Sequence, residues 1–282
     1  MLAKLTKHEL YATGRIFLPL YSIMLLLSLI NRGFSSIGEL SSPFKTLKGF
    51  MVAAYVISIV ATLVITFVII ILRFYKNLMS DEGYLMFTLP VKPSQLINAK
   101  LIVSFLWNIL SIFVVATSLF IILGTSKNLE MFRGLLDLAV TGLKSTFGSS
   151  YPILIAEYII MIFVCTIYQI LMIYVSIAIG HLLNEHKVIG SFAAYIAINT
   201  IIQMLVSIIV LIWTNLELSI FTYTPYYGTT ETITGNNVNY SVSIVQAITK
   251  QIIPFSIIFS VLCCVAFYLV TNYIFKKKLN LN

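Results

Sequence analysis

Apolar residues fall along this chain in six long runs separated by shorter polar or charged stretches. The runs occupy 16–30, 50–72, 101–123, 151–179, 188–213 and 252–275. A hydrocarbon core about 30 Å thick takes roughly 20 helical residues to cross. Backbone polar groups in lipid must find partners inside the protein, which leaves helices as the natural spanning element for such runs. The pattern predicts an all-α, polytopic transmembrane helix bundle of about six spans, forming one transmembrane domain over 1–282. The first run is short for a span. The fourth is long enough to tilt or to project beyond the lipid. Pro254 falls in the first turn of the sixth run, where its missing N–H is tolerated.

The segments between runs carry weaker patterns. Residues 1–15 mix Leu2, Leu5 and Leu10 with Lys4, Lys7 and His8, and read as an interfacial helix or a short solvated tail. Residues 124–150 place Met131, Leu135, Leu136 and Val140 among Arg133, Asp137 and Lys144, which predicts a helix on the outer interface. The outer segment 214–251 holds Tyr223, Tyr226, Tyr227 and Tyr240. Within it, 231–234 and 238–242 flank Gly235-Asn236-Asn237, a small β-hairpin pattern, and 241–253 reads as a helix entering the sixth span. An ordinary aromatic interfacial loop is the alternative for that segment.

Composition supports a lipid environment: 59% of residues are hydrophobic and 10% charged, against about 45–50% and 25% in soluble domains. The net charge of +8 does not indicate nucleic acid, because the basic residues sit between the runs as topology signals do. Lys276, Lys277 and Lys278 follow the last run, at the level of anionic head groups, so membrane lipids are the expected contact. Eleven Lys and Arg (4, 7, 15, 73, 76, 92, 100, 187 and 276–278) fall on one side of an even-spanned layout and seven (32, 45, 48, 127, 133, 144 and 250) on the other. The excess predicts both termini inside the cell. Cys165, Cys263 and Cys264 lie within apolar runs and read as reduced structural thiols. His181 and His186 bracket Leu182-Leu183-Asn184-Glu185, which is not a zinc-protease pattern.

Polar residues inside the runs are few and ordered. Ala54, Ser58, Thr62 and Thr66 recur every four residues, as do Ser191, Tyr195, Asn199, Gln203 and Ser207. Such stripes share one helix face, and small or hydroxylated residues on it let helices approach and bond in lipid. Ser104 with Asn108, and Ser256 with Ser260 and Cys264, repeat the spacing more weakly. Glu157 is the one acid well inside a run. A carboxylate there costs about 2.5–3.5 kcal/mol on insertion scales, which makes it a candidate proton or ion site unless it lies at the interface.

The stretch after the second run is the most specific. It reads Arg73-Phe74-Tyr75-Lys76-Asn77-Leu78-Met79-Ser80-Asp81-Glu82-Gly83-Tyr84-Leu85-Met86-Phe87-Thr88-Leu89-Pro90, with Pro93 and Ser94 opening the next helix. Gly83 permits a turn, and Pro90 and Pro93 limit a short helix between. Tyr75, Asn77-Leu78, Glu82-Gly83-Tyr84-Leu85 and Leu89-Pro90 resemble the coupling segment of ABC exporter permeases of the type-2 class. The entry to the first span, Arg15-Ile16-Phe17-Leu18-Pro19-Leu20, is similar too.

The resemblance implies a permease that pairs as a homo- or heterodimer in a bacterial cytoplasmic membrane and binds a separate ATPase. ATP and Mg would sit on that partner. This chain would hold no cofactor and no catalytic site. It contains no Gly-Lys dipeptide, and therefore no phosphate-binding loop. The segment 73–100 would be the coupling segment, with Asp81, Glu82, Gly83, Tyr84, Leu85 and Phe87 contacting the ATPase. Because spans two and five line the central path in that class, Ser58, Thr62, Thr66, Asn199 and Gln203 are expected near the substrate path or dimer interface. Interhelical bonding is the alternative role for them. The expected cargo is an amphipathic peptide, antibiotic or lipid. The alternative function is a secondary transporter or channel that uses Glu157.

Overall fold

The computed structural model of the chain describes residues 2–36, 42–79, 92–124, 126–182, 187–222 and 236–277. Every regular element among them is helical. In chain order they are α1 (Leu2–Ser36), α2 (Ser42–Met79), α3 (Pro93–Leu123), α4 (Ser126–Phe147), a 3-10 turn at Gly148–Ser150, α5 (Tyr151–Gly180), α6 (Lys187–Thr222) and α7 (Asn236–Lys277). Six stretches are long and apolar enough to cross a membrane: Leu2–Phe34, Thr46–Leu78, Pro93–Leu123, Asn128–Gly180, Lys187–Ile212 and Gln251–Lys276. The chain is an all-α, six-span, multi-pass membrane protein.

The distribution of side chains agrees. On α2, Thr62 and Thr66 are buried while Val56, Ile57, Val60, Leu63, Val64 and Phe67 are exposed. A water-soluble helix has the reverse arrangement. In lipid the apolar face needs no cover, and the hydroxyls are the groups that require a protein partner.

Two elements differ from the expectations above. Residues 1–15 are not set off from the first span, since α1 runs unbroken for 35 residues through Pro19. Residues 238–242, expected as the second strand of a hairpin, lie inside α7. The apolar positions 238, 242 and 245 recur at helical spacing, which outweighs the turn residues before them, while 231–234 lie outside the described residues. The segment 124–150 is a helix as expected, α4, followed at once by the turn at Gly148, whose φ of +57° suits glycine. Pro93 occupies the first helical position of α3 behind an extended Lys92, so its absent N–H removes no helical bond.

The chain divides into two compact units: Met1–Gly148 with Ile162–Leu171, and Ser149–Met161 with Met172–Leu279. In the first, α1, α2 and α3 pack on one another. In the second, the end of α5 meets the start of α6 at Gly180 and Ser191. A Cβ on Gly180 would overlap the backbone N and Cα of Ser191 and its Oγ. Gly180→Ala is therefore expected to lower stability by about 1–3 kcal/mol, read as a fall in the detergent-solubilised unfolding midpoint. Gly134→Ala, where a Cβ meets nothing within 4 Å, should not. Equal effects would contradict this account of the crossing.

Candidate functional site

The three helices of the first unit meet along a buried polar seam. On α1 the seam positions are Glu9, Thr13, Phe17, Tyr21, Met24, Ser28 and Asn31, all buried. Their spacings of four and three keep them on one face. On α3 they are Ile97, Lys100, Ser104, Trp107, Ser111, Val114 and Ser118, again buried. Spacings that alternate three and four are those of a coiled-coil seam, here largely polar. α2 contributes Tyr55, Thr62, Thr66 and Phe74.

One end of the seam is charged. Lys100 Nζ donates to Glu9 Oε1 at 2.7 Å, with side chains only 4% and 9% exposed. Asn77 Nδ2 approaches the same carboxylate oxygen at 3.4 Å. Arg73 Nη2 donates to the Ala12 carbonyl at 3.0 Å. Glu9 on α1 thus reaches both the last turns of α2 and the first turns of α3. Lys100, one of the basic residues counted for topology, is buried, because Glu9 supplies the countercharge that makes burial tolerable.

One turn further in, Thr13 Oγ1 donates to the Glu9 carbonyl at 2.7 Å and accepts from Trp107 Nε1 at 2.7 Å. The Trp107 ring stacks on Phe17 at 4.4 Å between centroids. Beyond it lies a hydroxyl chain: Tyr21 to Ser111 at 2.7 Å, Ser111 to Thr66 at 2.8 Å, and Thr66 to the Thr62 carbonyl at 2.7 Å. Its direction follows from counting protons. The carbonyl accepts only, so Thr66 donates to it; Ser111 must then donate to Thr66, and Tyr21 to Ser111. Tyr55 likewise donates to Ser118 at 2.9 Å, whose own proton goes to the Val115 carbonyl.

The far end closes with Asn31, whose amide donates to the Leu27 and Met51 carbonyls at 2.9 and 3.0 Å. Arg32 Nη2 donates to the Gly124 carbonyl at 2.9 Å, capping α3. From Glu9 to Asn31 the helical rise is about 33 Å, close to the hydrocarbon thickness. Arg15 lies inside that interval, exposed, with its guanidinium over the Tyr11 ring at 4.9 Å. It reaches back toward the charged end as a snorkelling cation does.

The expected site residues separate into three groups. Asp81, Glu82, Gly83, Tyr84, Leu85 and Phe87 lie outside the described residues. Thr62 and Thr66 are buried within the seam, and Ser58, half-buried, donates to its own helix at Tyr55. Asn199 and Gln203 are exposed along α6, and Glu157 is half-buried on α5. These three belong to the second unit and the α2 hydroxyls to the first. Glu9, Thr13, Tyr21, Lys100, Trp107, Ser111 and Ser118 went unselected from the sequence. The three–four alternation of Lys100, Ser104, Trp107, Ser111 and Ser118 was the available signal.

An open groove of about 390 Å³ beside the seam is lined by Leu10, Leu106, Trp107, Ile109, Leu110 and Phe113. Its wholly apolar lining suits acyl chains or another apolar surface and has little with which to orient a polar ligand. No cluster of metal-ligating side chains occurs among the described residues. At the end of α5, burial lowers the pKa of His181, and the charge of Lys187 lowers it further, which favours the neutral imidazole. No protein-family model, curated protein or solved structure matches this chain.

Proposed function

We propose that this chain is the membrane-spanning permease subunit of an ATP-driven exporter, worked by a separate ATPase through the connection between α2 and α3. The observation that carries the reading is the Glu9 cluster. Glu9 contacts Asn77, three residues before residue 80, and Lys100, nine residues after residue 91. The two helical arms that flank 80–91 are thereby tied to one point on α1. A segment that receives force from a partner needs such a base, since a loosely held loop would absorb the displacement.

The residues of 80–91 supply the other half of the argument. They resemble a coupling segment, and they offer two carboxylates beside Tyr84 and Phe87. An aromatic anchor with acidic neighbours suits a groove with basic rims. Nucleotide chemistry would come from the partner, because no phosphate-loop pattern exists here. Two permease chains would form the path, in a bacterial cytoplasmic membrane with both termini inside, for an amphipathic cargo.

The test is co-purification of the full chain with the ATPase from its own cells. Glu82→Arg and Tyr84→Ala are expected each to reduce recovery of the ATPase at least tenfold, about 1.4 kcal/mol of contact energy, with the permease still monodisperse. Unchanged recovery for both would remove the coupling assignment. Transport by the purified chain driven by a proton gradient alone, and lost on Glu157→Gln, would support the secondary-transporter reading instead.

A further inference from the structure

The helix α4 makes up the first part of the stretch Asn128–Gly180, but it is unlike α5, which supplies the apolar part of that stretch. The 22 residues of α4 extend about 33 Å. Leu129, Phe132, Leu136, Val140, Leu143 and Phe147 form one stripe at spacings of three and four, widened by Leu135 and Ala139. Glu130, Arg133, Asp137, Thr141 and Lys144 form a polar stripe about 100° round the helix from it. Residues 130–139 are exposed around the whole circumference, among them Met131, Phe132, Leu135, Leu136 and Leu138, the last at 71%.

The chain at both ends fixes where α4 can lie. It begins three residues after α3 ends, a reach of about 10 Å. It passes into α5, a spanning helix, through the three-residue turn at Gly148–Ser150. The end of α3 is the level at which Arg32 holds the Gly124 carbonyl, so the polar boundary of the membrane falls there. One end of α4 is thus held close to that boundary, and the other leads directly into a spanning helix. Crossing the bilayer would carry Glu130, Arg133, Asp137 and Lys144 through hydrocarbon, which insertion scales oppose. Standing in water would leave five large apolar side chains wet.

We propose that α4 lies in the plane of the membrane as a lipid-bound helix. Its Phe132–Leu136 face is seated in the acyl chains of one phospholipid leaflet, and its Glu130–Asp137 edge is at the head groups. α4 carries Lys127, Arg133 and Lys144 against Glu130 and Asp137, a net charge of only +1, so the seat depends chiefly on acyl burial and not on anionic lipid. The proposal needs only that the chain spans a membrane, and is independent of what the protein transports.

The experiment uses the full chain with Cys165, Cys263 and Cys264 replaced by serine, reconstituted in phosphatidylcholine vesicles. Nitroxide labels are placed singly at Glu130→Cys, Phe132→Cys, Leu136→Cys and Thr141→Cys. The ratio of collisions with oxygen to collisions with a water-soluble nickel chelate should be several-fold higher at 132 and 136 than at 130 and 141. Adding anionic phosphatidylglycerol should leave these ratios unchanged. Equal ratios at all four sites would place α4 in water. Exclusion of both reagents at 132 and 136 would mean a protein partner covers the face. High oxygen exposure at all four would make α4 a span. A strong response to phosphatidylglycerol would make charge the anchor. Any of these overturns the proposal.

Discussion

Replacing Lys100 with methionine is expected to destabilise the protein by about 3–5 kcal/mol, the range for removing one member of a buried ion pair. The pair is 2.7 Å apart and almost wholly covered. Without the ammonium, Glu9 keeps only the Asn77 amide, at 3.4 Å, among the contacts described. The larger part of the loss comes from that stranded carboxylate and not from the attraction itself. The double variant Glu9→Leu/Lys100→Met separates the two contributions, because replacing a buried pair by apolar groups is often close to neutral. It should recover most of the single variant's loss. Thermal or denaturant unfolding of the detergent-solubilised protein measures all members of the cycle. Losses below 1 kcal/mol for both single variants, or a double variant as unstable as their sum, would show that Glu9 and Lys100 are effectively solvated.

The second large effect is expected at Trp107. Its indole stacks on Phe17, donates to Thr13 and lies 6% exposed at the centre of the seam. Truncating a core tryptophan in a soluble protein costs about 3–5 kcal/mol. In lipid the part due to transfer from water is reduced, but the lost dispersion contacts remain, so Trp107→Ala should cost about 3 kcal/mol. Trp107→Phe keeps the stack and loses the hydrogen bond, which is worth about 0.5–2 kcal/mol in membrane proteins. The same unfolding assay should order the variants wild type, Phe, Ala. A phenylalanine variant as unstable as alanine would assign the stability to the Thr13 bond instead of the packing.

Much of the architecture was legible in the chain before folding was considered. Runs of apolar residues report directly on the environment each segment requires, and all six proved to be helices of spanning length. The first run looked short because Glu9, Thr13 and Arg15 seemed to end it. Each is accommodated by something the linear pattern does not contain: Lys100 for Glu9, Trp107 for Thr13, and the ring of Tyr11 for Arg15. The hairpin expected around Gly235-Asn236-Asn237 misjudged the competition between turn residues and the helical spacing that follows them. The coupling assignment of Asp81 to Phe87 rests on their residue types and their place in the chain, and these residues lie outside the described ones; the Glu9 contacts with Asn77 and Lys100 are visible only in the fold.

The sequence by itself determined that this protein lives in lipid, how many helices cross it and which short segments connect them. These are properties of composition and of spacing along a single helix, and they need no partner to be read. Tertiary structure alone decided that Thr66 bonds inward to Ser111 and Thr62 to Met24, and that Glu9 meets a lysine 91 residues away. The physical reason is that hydrophobic periodicity tells each residue only whether it suits lipid. For the few polar groups that do not, the partner is chosen by how helices pack, and packing brings together positions that lie far apart in the chain.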